Sequence, residues 1–367
     1  MIDADLHTEA HAVLGDGAVR ATRLAHSTRT GVTAGVWRVE VGGATAIAKV
    51  VSPGVDRADW RGSHDPRNYR YWRREPLVYD AGLPEAYVTA GVELPERLGS
   101  FHRADGTVGL WLRDVSGDGG SGWSVGRTRE HARRLGIAQG RCALDRSWLD
   151  GPVPYSDGML RDYLDTPEAT SPDIEWERLE DAAAWRTPLM RAHFDDALRE
   201  AVLRLCRERY DLVALGGHLP TTLCHHDLWP NNLFERDGRT VAIDWAFAGA
   251  GWIGGDIGNF VSDTALDLLR PSAELPALDA AVFAGYVDGL RESGWTGDPG
   301  EVRLGMCLLA AKWTWLVPVM LKRAAGDDHE VYGGRAADPD KLYRERAEVF
   351  RMLVSWAAEA RTLTGRR

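Results

Sequence analysis

His225-His-Asp-Leu-Trp-Pro-Asn-Asn232 is the strongest signal in the sequence, and Ile243-Asp-Trp245 follows it closely. Two short apolar runs, Asn232–Phe234 and Thr240–Ile243, lie on either side of a turn at Asp237-Gly238. Apolar runs joined by an Asp-Gly turn are typical of a β-hairpin. The sequence therefore predicts a hairpin that presents polar side chains at its ends, where a rigid scaffold can hold them.

Three oxygen-bearing side chains of this stretch suit phosphoryl transfer. That reaction needs a base near the acceptor hydroxyl and oxygen ligands that hold magnesium on the phosphates of the nucleotide. Asp227 is our candidate for the base. Asn232 can turn its side-chain carbonyl toward the metal, and Asp244, after the next predicted strand, adds a full negative charge. We predict that Asn232 and Asp244 bind Mg²⁺ together with oxygens of the nucleotide.

The order of these residues resembles a known pattern. The loop from His225 to Asn232, of the form HxDxxxxN, and the later Asp244 are similar to the catalytic loop and the metal-binding Asp of the aminoglycoside phosphotransferase family. This family is related to protein kinases and choline kinases. The run from 249 to 259 is similar to the family segment that carries a structural Asp, which implies that Asp256 braces the catalytic loop. We expect His225 to support the same loop by hydrogen bonding to backbone carbonyls.

The resemblance also implies a fold. It covers roughly residues 20–325 and implies an α+β, protein-kinase-like fold with two lobes. The N-terminal lobe, residues 1–115, would contain an antiparallel β-sheet plus a helix and would bind the nucleotide. The C-terminal lobe, residues 116–367, would be mainly α-helical and would contain the catalytic loop and the acceptor site.

A lysine and a glutamate of the first lobe fit the same pattern. Lys49, in Ala-Ile-Ala-Lys-Val-Val, resembles the strand lysine that contacts the α- and β-phosphates, and Glu75 resembles its helix partner. A lysine on a buried strand is destabilising unless it is paired. We therefore expect Glu75 to lie beside Lys49.

Two further segments are candidates for nucleotide contacts. The strand that ends at Arg113 and Asp114 matches the position of the hinge, where backbone groups of these two residues would bind adenine. The turn at 29–35 lies where a phosphate-covering loop belongs, with Gly31 and Gly35 as candidates. This turn lacks the GxGxxG pattern, so the resemblance there is carried by position alone.

The rest of the chain supports this division. Runs at 35–41 and 45–51 flank a turn at Gly42-Gly43, as in a β-hairpin, and a helix is predicted between 68 and 81 with Pro76 as a kink or as its true start. The glycine-rich run at 116–122 predicts a flexible connection or lid. Beyond it, helical periodicity predicts helices at 127–144, 188–209, 277–293, 301–322 and 340–362.

Composition excludes several classes of protein. The net charge of −10 argues against a nonspecific nucleic-acid binder. The four cysteines are scattered and contain no CxxC pair, so neither a zinc site nor a disulfide framework is predicted. The apolar run at 304–321 contains Lys312 and Pro318 and predicts a core helix rather than a membrane span. Because the first residues lack the layout of a secretory signal, we expect a cytoplasmic protein.

The substrate is left open among several alternatives. The leading hypothesis is a kinase that uses ATP or GTP and Mg²⁺ to phosphorylate a hydroxyl of an antibiotic of the aminoglycoside, peptide or nucleoside type, for self-resistance. One alternative is a kinase of a primary metabolite such as an amino sugar, maltose or a choline-like alcohol. Another is a catalytically silent, ligand-binding pseudokinase. We expect a monomer or homodimer that binds neither nucleic acid nor membrane.

Overall fold

The computed structural model describes residues 4–26, 32–54, 62–115, 117–170 and 174–365. The strands are β1 Val19–Arg23, β2 Thr33–Val41, β3 Ala44–Val51, β4 Val92–Glu93, β5 Arg97–His102, β6 Val108–Arg113, β7 Asp118–Gly119, β8 Thr221–Cys224, β9 Leu233–Arg236, β10 Arg239–Ala242, β11 Gly249–Trp252, β12 Glu330–Val331 and β13 Arg335–Ala336. The α-helices are α1 Ala4–Leu14, α2 Arg74–Ala81, α3 Glu85–Thr89, α4 Val125–Leu144, α5 Met159–Thr170, α6 Ala182–Trp185, α7 Pro188–His193, α8 Asp196–Arg207, α9 Arg209–Ala214, α10 Gly255–Leu266, α11 Leu275–Glu292, α12 Pro299–Leu308, α13 Leu316–Arg323 and α14 Pro339–Leu363.

The first half of the chain forms a five-stranded antiparallel sheet with the order β1-β2-β3-β6-β5. The predicted hairpin is present: Gly42 and Gly43 have φ angles of 59° and 89°, which glycine adopts without strain. Helix α1, which the sequence analysis did not predict, packs Leu6 and Ala10 on one face of the sheet, around Trp111. The α+β, kinase-like fold class is confirmed.

Helix α2 is shorter than predicted. It begins at Arg74 rather than near residue 68, and Pro76 lies in its first turn, where the missing N–H of proline leaves no hydrogen bond unmade. Gly82, with φ 77°, ends the helix. Pro76 therefore marks the start of the helix and does not kink it.

The second half is mainly helical, as predicted, with two corrections. The predicted helix at 188–209 is divided into α7, α8 and the start of α9, because Asp195 caps α8 by accepting a hydrogen bond from the Leu198 N–H (2.8 Å). The predicted helix at 301–322 consists of α12 and α13 joined by 3₁₀ turns. The continuous stretch Pro299–Arg323 is long and apolar enough to cross a membrane, but 94% of its most apolar window is buried inside the protein, as in a core helix.

The described part of the glycine-rich run, from residue 117, is not the flexible connection or lid that was predicted for 116–122. From residue 117 onward it forms β7, which pairs with β9, and then a 3₁₀ turn. A Cβ atom on Gly117 would lie 2.5 Å from the Glu235 carbonyl oxygen, and one on Gly120 would lie 2.7 Å from the Pro230 carbonyl oxygen. Gly117 and Gly120 therefore permit close packing against β9 and the loop that precedes it.

A second sheet, of order β4-β10-β9-β7, joins residues from both sides of the predicted boundary at 115. Strand β4 pairs in parallel with β10, and Val78, Tyr87 and Val92 belong to the large hydrophobic core of the helical half. The segment from α2 to β4 thus links the five-stranded sheet to the helices. The division into residues 1–115 and 116–367 stays a prediction.

Candidate active site

The predicted catalytic hairpin is formed by β9 and β10, with positive φ at both turn residues, Asp237 (50°) and Gly238 (71°). The loop 225–232 precedes it. The His225 Nε2 atom lies 2.8 Å from the Ile243 carbonyl oxygen, so this nitrogen carries the proton. The Nδ1 atom of the same ring then accepts a hydrogen bond from the Asp227 N–H (3.2 Å). His225 thus supports the loop from beneath and also binds the backbone of Asp227.

Asp256 holds the same loop from helix α10. Its carboxylate accepts hydrogen bonds from the backbone N–H groups of His225 and His226, each at 2.8 Å, and from the Gln139 side chain at 2.7 Å. The residue is 1% exposed. A buried carboxylate with three donors is well satisfied. The contacts match the bracing role that the resemblance implied.

Asp227 lies half-buried with Asn232 beside it. The Asn232 Nδ2 group donates to the Asp227 carbonyl oxygen (2.9 Å) and, at 3.3 Å, to its carboxylate. Because the amide nitrogen is used in this way, the amide oxygen points to the other side. Burial raises the pKa of the Asp227 carboxyl above its ordinary value, while the positive charge of Lys312 opposes that rise.

Asp244 has a strained backbone conformation and a partly exposed side chain. Its φ angle is 62°, in the left-handed region, and its side chain is 38% exposed. Burial opposes ionisation of Asp244, but the Lys49 ammonium outweighs that effect and lowers the pKa of the carboxyl. The carboxylate therefore stays negative.

Lys49 lies between two carboxylates. Its Nζ atom is 2.6 Å from Glu75 and 2.8 Å from Asp244. Burial alone would lower the pKa of Lys49, but the two negative charges raise it, so the ammonium is retained. Burial raises the pKa of Glu75. The predicted Lys49–Glu75 pair is present, and the lysine also links it to Asp244.

The donor set near the loop fits a hard divalent cation. The Asp244 carboxylate and the Asn232 amide supply oxygen ligands of the kind that Mg²⁺ prefers, with the remaining positions left to phosphate oxygens and water. Among the described residues, no group of three or more His, Cys, Asp or Glu side chains could hold a metal by itself. A cation there would therefore depend on the nucleotide for several of its ligands.

The other residues predicted to contact the nucleotide are two glycines and the backbone of Arg113 and Asp114. Gly31 lies outside the described residues. Gly35 is buried in β2, and a Cβ atom there would lie 2.1 Å from the Trp37 ring, so the ring packs over this glycine. The Arg113 N–H donates to the Glu96 carbonyl oxygen (2.8 Å), so this group is already used within the protein. The contact of the Arg113 and Asp114 backbone with adenine stays a prediction.

Sequence reasoning missed three charged residues that lie near the predicted site. Arg74 is 0% exposed, next to Glu75, and Lys312 (3%) and Asp263 (7%) are buried near Asp227. A buried charge within an apolar run was the available signal for Lys312, by the argument that identified Lys49. Arg74 ends the run Arg70-Tyr-Trp-Arg-Arg74, and no sequence pattern distinguishes it from the other arginines of that run.

This fold, with a lysine–glutamate pair facing an aspartate and an HxDxxxxN loop, defines a kinase-like phosphotransferase of small molecules. The sequence pattern of the phosphotransferase enzyme family, APH, matches residues 112–296, half of the chain, and the chain belongs to this family. It is an ATP-dependent small-molecule phosphotransferase.

Solved structures share the fold at low identity. The amicoumacin kinase hAmiN, in complex with AMP-PNP, Ca²⁺ and Ami, is 14% identical, with a TM-score of 0.55 over 96% of this chain and 94% of its own. Choline kinase from Cryptosporidium parvum Iowa II is 11% identical, with a TM-score of 0.55 over 97% of this chain and 96% of its own. No match was found among curated proteins.

Proposed function

We propose that this enzyme transfers the γ-phosphoryl group of ATP, with Mg²⁺, to a hydroxyl of an antibiotic-like acceptor. The observation that carries the proposal is the ion cluster of Lys49, Glu75 and Asp244, with distances of 2.6 and 2.8 Å, beside a loop that orients Asp227 and Asn232. Such an arrangement supplies what phosphoryl transfer asks of a protein, which is positioning and electrostatic stabilisation.

Each residue has a distinct task in this proposal. Lys49, held in place by Glu75, binds the α- and β-phosphates of the nucleotide. Asn232 and Asp244 would hold Mg²⁺, which would neutralise phosphate charge when bound. Asp227 orients the acceptor hydroxyl and receives its proton as the acceptor oxygen bonds to the γ-phosphorus, while the bond from that phosphorus to the bridging oxygen breaks and ADP leaves.

A positively charged group on the acceptor is favoured by Asp263. This residue lies on α10, where its carboxyl interacts electrostatically with Lys312 and Asp227. Burial raises the pKa of the Asp263 carboxyl well above the ordinary range. No hydrogen bond to its carboxylate is present within the described ranges. An ammonium or guanidinium group of the acceptor would stabilise its ionised form. The net charge of −10 would also attract a cationic acceptor.

Two alternatives compete with the antibiotic acceptor. A primary metabolite with a hydroxyl, such as an amino sugar, maltose or a choline-like alcohol, would use the same site. Solved structures of an amicoumacin kinase and of a choline kinase both share this fold. A pseudokinase would bind ligands without transfer. The presence of Lys49, Asp227, Asn232 and Asp244 together speaks against that second alternative.

The test is a screen of purified protein with ATP or GTP, Mg²⁺ and a panel of antibiotics, sugars and amino alcohols. We expect an acceptor to gain the mass of one phosphoryl group, and antibiotics to react before metabolites. Mg²⁺ and ATP should also raise the melting temperature of the wild type, since a ligand of the folded state opposes unfolding. Asp244→Asn should remove the Mg²⁺-dependent part of that rise.

Three outcomes would contradict different parts of the proposal. Transfer to metabolites alone would reject the antibiotic acceptor. Nucleotide binding without transfer or hydrolysis by the wild type would support the pseudokinase. Full Mg²⁺-dependent stabilisation of Asp244→Asn would reject Asp244 as a ligand of the cation.

A further inference from the structure

Side chains form hydrogen bonds with both the carbonyl and the N–H groups of the loop around Asp227. The carbonyl oxygens of His226, Asp227 and Leu228 accept hydrogen bonds from Lys312 (3.3 Å), Asn232 (2.9 Å) and Asn259 (2.9 Å), respectively. On the opposite edge, the N–H groups of residues 225–227 bind Asp256 and His225, as described above. Two of the side chains that donate to these carbonyl oxygens, Lys312 and Asn259, have no assigned task in the proposed reaction.

The loop needs such support because its backbone is strained. His226 has a φ angle of 66°, which residues other than glycine rarely adopt. A strained conformation of this kind persists only when surrounding contacts determine it. The Asp227 side chain leaves the backbone directly after this residue, so its direction depends on the peptide conformation at His226.

Lys312 and Asn259 form one unit. The Lys312 Nζ group donates to the Asn259 Oδ1 atom at 2.5 Å, which fixes the orientation of the amide. The Asn259 Nδ2 group therefore faces the Leu228 carbonyl, while Lys312 itself reaches the His226 carbonyl. The two carbonyls that flank Asp227 are held by two side chains that are bonded to each other. With exposures of 3% and 1%, Lys312 and Asn259 exclude water from these contacts.

A neutral donor could satisfy the His226 carbonyl without the penalty of burying a charge. Lys312 nevertheless brings an ammonium group, and no carboxylate of the described residues lies within ion-pair distance of it. Its Nζ atom also lies over the rings of Tyr163 (5.4 Å) and Trp313 (5.1 Å), which favours a cation at a fixed place. The placement indicates a task beyond filling the core.

We propose that Lys312 and Asn259 are positioning residues that set the direction of the Asp227 carboxylate by holding the peptide carbonyls on either side of it. The proposal rests on the proposed role of Asp227 in phosphoryl transfer. The pair acts on the reaction through the loop and touches neither nucleotide nor acceptor. Its loss should therefore reduce turnover while nucleotide binding is retained.

The experiment measures Mg²⁺-dependent phosphate release from ATP, with water as the probe acceptor, beside transfer to any acceptor that the screen identifies. Lys312→Met keeps most of the side-chain volume and removes the ammonium. We expect turnover to fall about 10- to 100-fold, as for a reacting group displaced by about 1 Å, while AMP-PNP affinity stays within about twofold.

Asn259→Asp provides a second variant with less risk to folding. It keeps an acceptor for Lys312, now with opposite charge, but removes the donor to the Leu228 carbonyl. Because the new ion pair with Lys312 offsets the hydrogen bond lost at the Leu228 carbonyl, we expect a loss of turnover with little change in melting temperature, which a merely structural role would not produce. The fold-loss of turnover in the double variant Lys312→Met/Asn259→Asp should be smaller than the product of the two single fold-losses. Each single variant already disrupts the same hydrogen-bonded pair.

The matched control is Lys322→Met, which removes a lysine on the same apolar segment, paired with Glu175 at 2.8 Å and remote from the loop. Its turnover should equal that of the wild type. Wild-type turnover by folded Lys312→Met, or equal losses of turnover and AMP-PNP affinity, would overturn the positioning role and leave the proposed function intact. A wild type that neither hydrolyses ATP nor transfers phosphate would overturn both.

Discussion

At the scale of single residues, charge and hydrogen bonding fix the site more than apolar packing does. The Lys49 ammonium bridges Glu75 and Asp244, and so links the sheet, helix α2 and the turn after β10. Among the described residues, Asp227 forms no ion pair, and hydrogen bonds of its backbone to the His225 and Asn232 side chains orient it instead. It is therefore placed to accept a proton, whereas Asp244 is placed to stay charged.

Asp227→Asn tests this assignment. The substitution keeps the shape of the side chain and removes its basicity. A positioned general base typically contributes about 10²–10⁴-fold to the rate, so we expect a loss of phosphoryl transfer of that order. Nucleotide affinity should stay nearly unchanged, because Lys49 and Asp244 remain. Single-turnover transfer and ATP titration measure the two effects separately.

A matched substitution outside the site controls for this test. Asp237→Asn lies at the tip of the same hairpin, where the side chain is 86% exposed and where Asn also tolerates positive φ. We expect wild-type transfer. If Asp227 only caps the loop, Asp227→Asn will lose stability and ATP affinity together and keep much of its rate. Near-normal transfer by folded Asp227→Asn protein would reject the base.

Residues with a motif could be located from the sequence, but their long-range partners could not. Asp227, Asn232, Asp244 and Asp256 lie in a short stretch with fixed spacing, and chemistry alone restricts what such residues do. Lys312 is remote in sequence from the loop that it supports, and nothing in the local pattern specifies which carbonyl a buried lysine reaches. The hydrogen bond from the Arg113 N–H at the end of β6 to the Glu96 carbonyl oxygen could not be predicted either, because it depends on strand register.

At the scale of elements, glycine sets the distance between α4 and α11. A Cβ atom on Gly136 would lie 2.2 Å from the Tyr286 carbonyl oxygen, and one on Gly289 would lie 1.9 Å from the Arg133 carbonyl oxygen. The two helices thus touch backbone to backbone. Helix α4 also supplies Gln139 to Asp256, so this contact determines where the brace of the catalytic loop lies.

Gly136→Ala tests the helix contact. Alanine favours a helix by about 1 kcal/mol over glycine. The new methyl group would nevertheless meet backbone that cannot move aside, and such overpacking typically destabilises by about 1–3 kcal/mol. We therefore expect a lower melting temperature. Gly126 lies at an exposed position of the same helix, where a Cβ atom would meet only the Ser124 hydroxyl, at 3.9 Å. Gly126→Ala should therefore leave the melting temperature unchanged or raise it. Equal stability of both variants would contradict the close contact.

Periodicity predicted most elements of the fold, and its failures have physical causes. The hairpins at Gly42 and Asp237 were evident because their turn residues require positive φ. Helix α1 was missed because only Leu6, Glu9 and Ala10 of it are buried, and Glu9 is charged. The flexible connection or lid expected at 116–122 was wrong for the described residues because Gly117 and Gly120 serve close packing, which composition does not distinguish from flexibility.

At the scale of the whole molecule, one buried arginine joins the parts of the chain that form the site. Arg74, at the start of α2, is 0% exposed. Its guanidinium donates to the carbonyl oxygens of Tyr69 (2.7 Å), Asn68 (2.8 Å), Pro66 (2.9 Å), Pro154 (3.0 Å) and Ala246 (3.3 Å). Glu75 follows it directly, and Ala246 lies two residues after Asp244. The position of α2 and that of the Asp244 turn are therefore set by the same group.

Arg74→Met should affect both the fold and the site. Each buried carbonyl that loses its donor costs about 1–3 kcal/mol, so the variant should lose about 3 kcal/mol or more of its free energy of unfolding. Because α2 and the Asp244 turn then lose their common support, ATP and Mg²⁺ should also raise the melting temperature less than in the wild type. Arg73→Met, an exposed neighbour that stacks on Trp72, serves as control and should change both quantities little. ATP titration well below the melting temperature separates the two effects. A variant that melts early but binds ATP and Mg²⁺ as tightly as the wild type would show that Arg74 holds only the fold, and that Lys49, Glu75 and Asp244 keep their arrangement without it.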